Sequence, residues 1–291
     1  MTTKQDRKKN LVPVNGTELM VEETGAGAET LVCSPALFTN KELFDPLVGA
    51  LAGDHRCIRY DHRGQGESGL GASQPSLNLL GTEGLYDDAV ALLDELEVDS
   101  CHWVGASVGG FVGVRLAVRH PERVRSLVLI GMNVDPLSRA VLLYVDLFGW
   151  LIRASSLLGP LGTGLRSRLA TQSMQNMLGP TFMSDPARAD DREAWRQRWE
   201  AQMVPAAVPM MRQVFGTAGN PPELLAQVQA PTLVVVGEEE AGGDADARKA
   251  QQAIPDARLV TIPGAGHMVL VEQPADGGSA ITDFIREVEA A

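Results

Sequence analysis

Basic charge is scarce in this chain. Lys and Arg number 25 against 37 Asp and Glu in 291 residues, a formal net charge of -12. A field of that sign repels phosphate backbones and anionic lipid, so neither nucleic acid nor a membrane is expected as a partner. The acidic surplus reads as a solvating surface. Cysteine is scarcer still. Cys33, Cys57 and Cys101 each lie in a short apolar run that reads as a buried strand. No spacing resembles a zinc site, and an odd count does not make a disulfide framework. They read as small core residues in a reducing compartment. No apolar run approaches the roughly 18 residues of a membrane span. Residues 1–10 are polar and charged, without the apolar stretch of a signal peptide. These absences lead to the expectation of a cytoplasmic protein.

What is present is apolar punctuation. At 44% apolar residues the chain can bury a sizeable core, in one large domain with an insertion or in two small ones. Residues 11–14 and 18–23 flank Asn15-Gly16, which reads as a hairpin turn. Strand-like runs follow at 30–34, 56–60, 101–105, 127–131, 232–236 and 258–262. Most are rich in Val, Leu and Ile and lack polar alternation, as parallel strands covered on both faces do. Helical patterns lie between them at 41–52, 83–97, 108–119 and 245–253, with a last one at 278–289. Residues 71–81 read as a polar loop. Strand and helix in alternation predict an α/β fold with a mostly parallel central sheet flanked by helices. Residues 135–218 break the rhythm. They hold no convincing strand, three of the four tryptophans (Trp150, Trp195, Trp199) and six of the ten methionines. They read as a helical cap inserted in a core made of 1–134 and 219–291.

Ser107 stands where a strand must turn sharply into a helix, in Gly105-Ala106-Ser107-Val108-Gly109. Such a turn strains the serine backbone and tolerates only small neighbours. The helix that starts there aims free N–H groups at the site. A serine hydroxyl is a weak nucleophile without a base to take its proton. Of five histidines, His55, His62, His102 and His120 have ordinary structural roles open to them. His267, in Gly264-Ala265-Gly266-His267-Met268 just past a late strand, does not, and is the candidate general base.

These features resemble the α/β-hydrolase fold superfamily, in its cap-bearing group of esterases, lactonases, haloperoxidases and carbon–carbon hydrolases. The resemblance spans roughly residues 11–290. It rests on Tyr60-Asp61-His62-Arg63-Gly64-Gln65-Gly66-Glu67-Ser68, the elbow at 105–110, His120-Pro121-Glu122-Arg123-Val124, the run 231–237 and the histidine segment 264–274. The motif set marks the fold and not a substrate. Two stretches depart from the pattern. Where relatives place an Asp three residues after the Gly that ends a strand, this chain has Glu240, in Gly237-Glu238-Glu239-Glu240. A glutamate can orient an imidazole as an aspartate does; Asp135 and Asp244 are the alternatives. Where relatives carry His-Gly after the strand at 30–34, this chain has Ser34-Pro35-Ala36-Leu37-Phe38. The resemblance places one oxyanion-hole N–H on Leu37 and the other on Val108; Pro35 has none. Loss of the His-Gly pair is similar to the 3-oxoadipate enol-lactonase branch.

The resemblance implies a serine hydrolase that cleaves a carboxylic ester or lactone through an acyl-enzyme on Ser107, with no metal or organic cofactor. A carbon–carbon hydrolase or a cofactor-free haloperoxidase would use the same triad. A ligand-binding member without turnover would keep the fold. The Met- and Trp-rich cap suggests a small, mainly apolar substrate. Trp195 and Trp199, four apart, place at least one ring inward. Gln175, Arg212 and Gln213 are candidate polar contacts, and a homo-oligomer is compatible with the sequence.

Overall fold

Asn15 and Gly16 both have positive φ, 42° and 75°, the conformation that lets a two-residue loop match the twist of the strands it joins. They connect β1 (Lys8–Val14) to β2 (Thr17–Thr24), paired antiparallel. The computed structural model describes residues 7–71, 76–217 and 219–291. Six further strands complete one sheet: β3 (Glu29–Ser34), β4 (His55–Tyr60), β5 (Cys101–Ala106), β6 (Val124–Ile130), β7 (Thr232–Gly237) and β8 (Ala257–Ile262). The spatial order is β1-β2-β4-β3-β5-β6-β7-β8, parallel from β4 to β8. The chain leaves β3 for β4 on one side and returns to β5 on the other. That reversal opens a crevice at the carboxyl ends of β3 and β5, where ligands bind in open α/β sheets.

Helices cover both faces of the sheet: α1 (Asp45–Leu51), α2 (Leu77–Leu80), α3 (Thr82–Glu95) and α4 (Val108–Arg119). Between β6 and β7 five helices fill the stretch read as an insertion: α5 (Arg139–Leu157), α6 (Gly159–Met177), α7 (Pro180–Ser184), α8 (Ala189–Gln202) and α9 (Ala207–Gly216). Then come α10 (Pro222–Leu225), α11 (Gly243–Ala253), α12 (Val269–Glu272) and α13 (Pro274–Glu289). The three cysteines are free and buried in β3, β4 and β5. Burial raises all three thiol pKa values, those of Cys57 and Cys101 to about 12.

Several boundaries depart from expectation. The helix read at 41–52 is a 3₁₀ turn, Lys41–Phe44, followed by α1, whose first turn accommodates Pro46. The polar loop read at 71–81 contains α2; its residues 72–75, like 1–6 of the polar N-terminus, lie outside the described residues. The last helix starts at Pro274, four residues early, because proline suits a first helical turn. The reading that no run suffices to cross a membrane is corrected by α5. Its 19 residues have mean hydropathy 1.4 and are long and apolar enough by length and composition. Asp146 and Arg153 interrupt the run and hide this from a search for unbroken apolar sequence. One face of α5 is buried through Val145, Phe148 and Ile152, while Leu143, Leu147 and Trp150 are exposed.

Candidate active site

β5 ends at Ala106 and α4 begins at Val108, so Ser107 makes the whole turn, with φ 48° and ψ -111°. Its N–H donates to Ile130 O (2.8 Å), and its carbonyl accepts from Gly110 N (2.9 Å). The flanking glycines are steric necessities. A Cβ on Gly105 would lie 2.3 Å from Gly109 O, and one on Gly109 would lie 2.0 Å from Ser34 O. The elbow therefore exists only where strand, helix and the end of β3 approach backbone to backbone.

His267 follows β8. Its Nδ1–H donates to Glu240 Oε1 at 2.6 Å, and both side chains are nearly buried. Burial disfavours the charged imidazole, but the charge and hydrogen bond of Glu240, with a smaller contribution from Glu272, outweigh it. The pKa stands above its ordinary value. With Nδ1 holding the proton, the lone pair is on Nε2. Glu240 comes from the turn after β7 and packs against Gly243 in the first turn of α11, where a Cβ would lie 2.6 Å from its Cδ. The positive end of α11 thus faces the acid. Neither alternative acid reaches the imidazole. Asp135 is exposed and paired with Lys249, and Asp244 is exposed and bonded to Arg248 Nε (2.9 Å).

A second carboxylate holds the His267 loop and was not anticipated from sequence. Glu272 is fully buried and accepts three backbone N–H groups: Gly266 (2.8 Å) and Met268 (2.9 Å), which flank His267, and Gly179 (2.6 Å) between α6 and α7. Burial raises its pKa against the pull of those donors. His267 N donates to Met177 O (2.8 Å), and Thr181 N donates to Glu239 Oε2 (2.9 Å). Residues 177–181, where α6 meets α7, are thereby bonded to the loops that carry Glu240 and His267. The one signal in the sequence is an acid closing an apolar run, Met268-Val269-Leu270-Val271-Glu272.

The loop after β3 is fixed by the 60–68 motif. His62 Nε2 bonds Pro35 O (3.0 Å), and burial lowers its pKa to about 4, so the ring is neutral. Gln65 Oε1 accepts from Phe38 N (2.8 Å), and Thr39 N donates to Ala36 O (3.2 Å). Among the described residues the N–H groups of Ala36, Leu37 and Val108 have no protein acceptor. His55, His102 and His120 are engaged by Leu51 O and Glu289, by Ser126 and by Tyr86, the structural roles expected of them.

Two cavities meet at His267. A small one, about 10 Å³, is bounded by Ala36, Leu43, Ala106, Ser107, Ile130 and His267, among others. A larger one, about 580 Å³, is lined on its apolar side by Phe38, Val141, Phe148, Met177, Met211 and Phe215, among others, and also by polar side chains. Gln175 lines the larger cavity. Gln213 is not part of its wall, and Arg212 turns to the surface and pairs with Asp146. Trp199, in α8, is buried, as expected of one of the two rings, but lines neither cavity.

A family model described as alpha/beta hydrolase fold matches residues 29–274. RutD of Azorhizobium caulinodans, named for carbamate hydrolysis, is 28% identical over 280 residues, 94% of this chain and 96% of that protein. BpoC of Mycobacterium tuberculosis, named for non-heme bromoperoxidase activity, is 28% identical over 250 residues, covering 82% and 86%. Among solved structures, an enol-lactonase from Burkholderia xenovorans LB400 superposes with TM-score 0.81 at 24% identity, covering 95% of this chain and 100% of that one. A thermophilic esterase from Thermogutta terrifontis gives 0.79 at 23% identity, covering 97% and 99%. At such identities the structural likeness speaks for the fold.

Proposed function

Because the chain belongs to the α/β-hydrolase fold family, we propose that it is a serine hydrolase of a small, mainly apolar carboxylic ester or lactone. The observation that carries the reading is the 2.6 Å bond from His267 Nδ1 to Glu240, on a ring that shares one cavity with Ser107. In this mechanism Nε2 takes the Ser107 proton as Oγ attacks the carbonyl carbon. Leu37 and Val108 N–H groups hold the oxyanion, and Glu240 stabilises the imidazolium. The carbon–oxygen bond of the leaving alkoxide breaks as Nε2 returns the proton to it. Water then repeats the sequence on the acyl-enzyme, releasing the acid and free Ser107. The mainly apolar 580 Å³ cavity falls within the size range of small-molecule sites.

The test is active-site labelling. A fluorophosphonate should modify Ser107 in the folded protein, and Ser107→Ala should abolish both labelling and hydrolysis of 4-nitrophenyl esters. Absence of labelling in native protein, with ligand binding unaffected by Ser107→Ala, would overturn the reading.

A further inference from the structure

Among the described residues, the walls around Ser107 carry no lysine or arginine. Among the described residues that line the two cavities, the only ionisable side chains besides His267 and Tyr144 are Glu239 and Glu240. The polar remainder of the larger cavity is neutral: Asn133, Tyr144, Ser173, Gln175 and Asn176. Some of it is already engaged, since Asn176 donates to Tyr144 OH (3.4 Å) and Asn133 to Asp246 (3.3 Å). Arg212, the basic side chain that sequence put forward for the pocket, is turned away and neutralised by Asp146.

We propose that this site selects uncharged esters or lactones and rejects those that carry a free carboxylate. The inference rests on the hydrolase reading above and narrows its substrate class. A substrate carboxylate entering the larger cavity would leave water for an apolar wall with no guanidinium or ammonium to meet it, and would face two glutamates. A lactone closed from 3-oxoadipate keeps one of its two carboxylates free. This site therefore departs from the enol-lactonase branch that its oxyanion loop resembles. An uncharged lactone or ester of similar size meets apolar surface and a few amides, which neutral oxygens can use.

Three substrates of matched length separate the possibilities: 4-nitrophenyl pentanoate, the mono-4-nitrophenyl ester of glutarate, and the methyl ester of that half-ester. The last keeps the added polarity and removes the charge. The expected kcat/KM for the half-ester is roughly 100-fold below both neutral compounds. Gln175→Arg should move the ratio of half-ester to methyl ester at least about 10-fold toward the anion, and Glu239→Gln should move it the same way by less. Equal turnover of half-ester and methyl ester by the unmodified protein overturns the selectivity and leaves the hydrolase reading intact. Failure on all three, with Ser107 unlabelled by fluorophosphonate, overturns both.

Discussion

Replacing Glu272 by Gln tests whether the buried carboxylate positions the catalytic machinery or only fills space. Oε2 accepts from Gly179 and Gly266, and Oε1 from Met268. An amide of the same shape offers one acceptor oxygen. In its less costly orientation it keeps the Gly179 and Gly266 bonds and turns an NH₂ toward Met268 N–H. One hydrogen bond to a charged acceptor is lost and two become neutral, a loss of about 3–4 kcal/mol before the relief of no longer burying a charge is counted. A net of about 2 kcal/mol corresponds to a fall in Tm of roughly 4–8 °C for a chain of this size. Met268 is next to His267, so losing this bond loosens the segment that holds the imidazole. A displacement of that ring by a fraction of an ångström lowers kcat about 10- to 100-fold. The pH profile separates the two roles. Glu272 helps to raise the His267 pKa, and on the proposed mechanism the imidazole acts as a base only when neutral. Removing the negative charge therefore moves the acid limb of kcat/KM to lower pH. Calorimetry and a pH series of 4-nitrophenyl ester hydrolysis read both quantities. A variant with lowered Tm but unchanged kcat and acid limb would refute the positioning role, and an unchanged Tm would refute the bonding count.

Glu240→Gln should lower kcat about 10³- to 10⁴-fold by losing the imidazolium's partner and the right tautomer, whereas Asp135→Asn and Asp244→Asn, at exposed residues paired with Lys249 and Arg248, should stay within about twofold; steady-state kinetics of the three variants decide it. Gly109→Ala drives a Cβ to 2.0 Å from Ser34 O, so an exposed-to-water compensation is out of reach and a destabilisation of about 3 kcal/mol or more is expected in thermal melts. Native protein should react with a thiol reagent such as Ellman's only on unfolding, because Cys33, Cys57 and Cys101 are buried with raised pKa values; a thiol titrating rapidly without denaturant would contradict the packing of β3, β4 and β5.

The parts of the site that could be read from sequence are those made by neighbours in the chain. Strand, small residues and helix stand side by side around Ser107, and the glycines around His267 mark a loop that must come close to others. Glu240 is implied by the family resemblance, at the place where relatives carry an Asp, and the structure brings it, rather than Asp135 or Asp244, to His267. What was not legible depends on residues distant in sequence. Gly179 and Glu272 are 93 positions apart, and the bond between them uses a backbone N–H that no residue type announces. The same holds for Gln65 and Phe38 N. Short helices such as α2 and α12 have too few turns to show a period. In residues 135–218 the lack of a strand predicted helices but not which face would line a cavity: of the three candidate polar contacts Gln175 lines it, while Gln213 and Arg212 do not.

On the proposed mechanism, the left-handed φ of Ser107 sets stability and turnover against each other at a single codon. A non-glycine residue held there costs about 1–3 kcal/mol, most of which glycine escapes. Ser107→Gly would then give a firmer fold with no hydroxyl to acylate. In a mutant library sorted only for heat tolerance, that substitution should be enriched and hydrolysis should disappear with it. Any programme of stabilising this protein has to select for activity in the same round, because thermodynamics alone leads away from the serine.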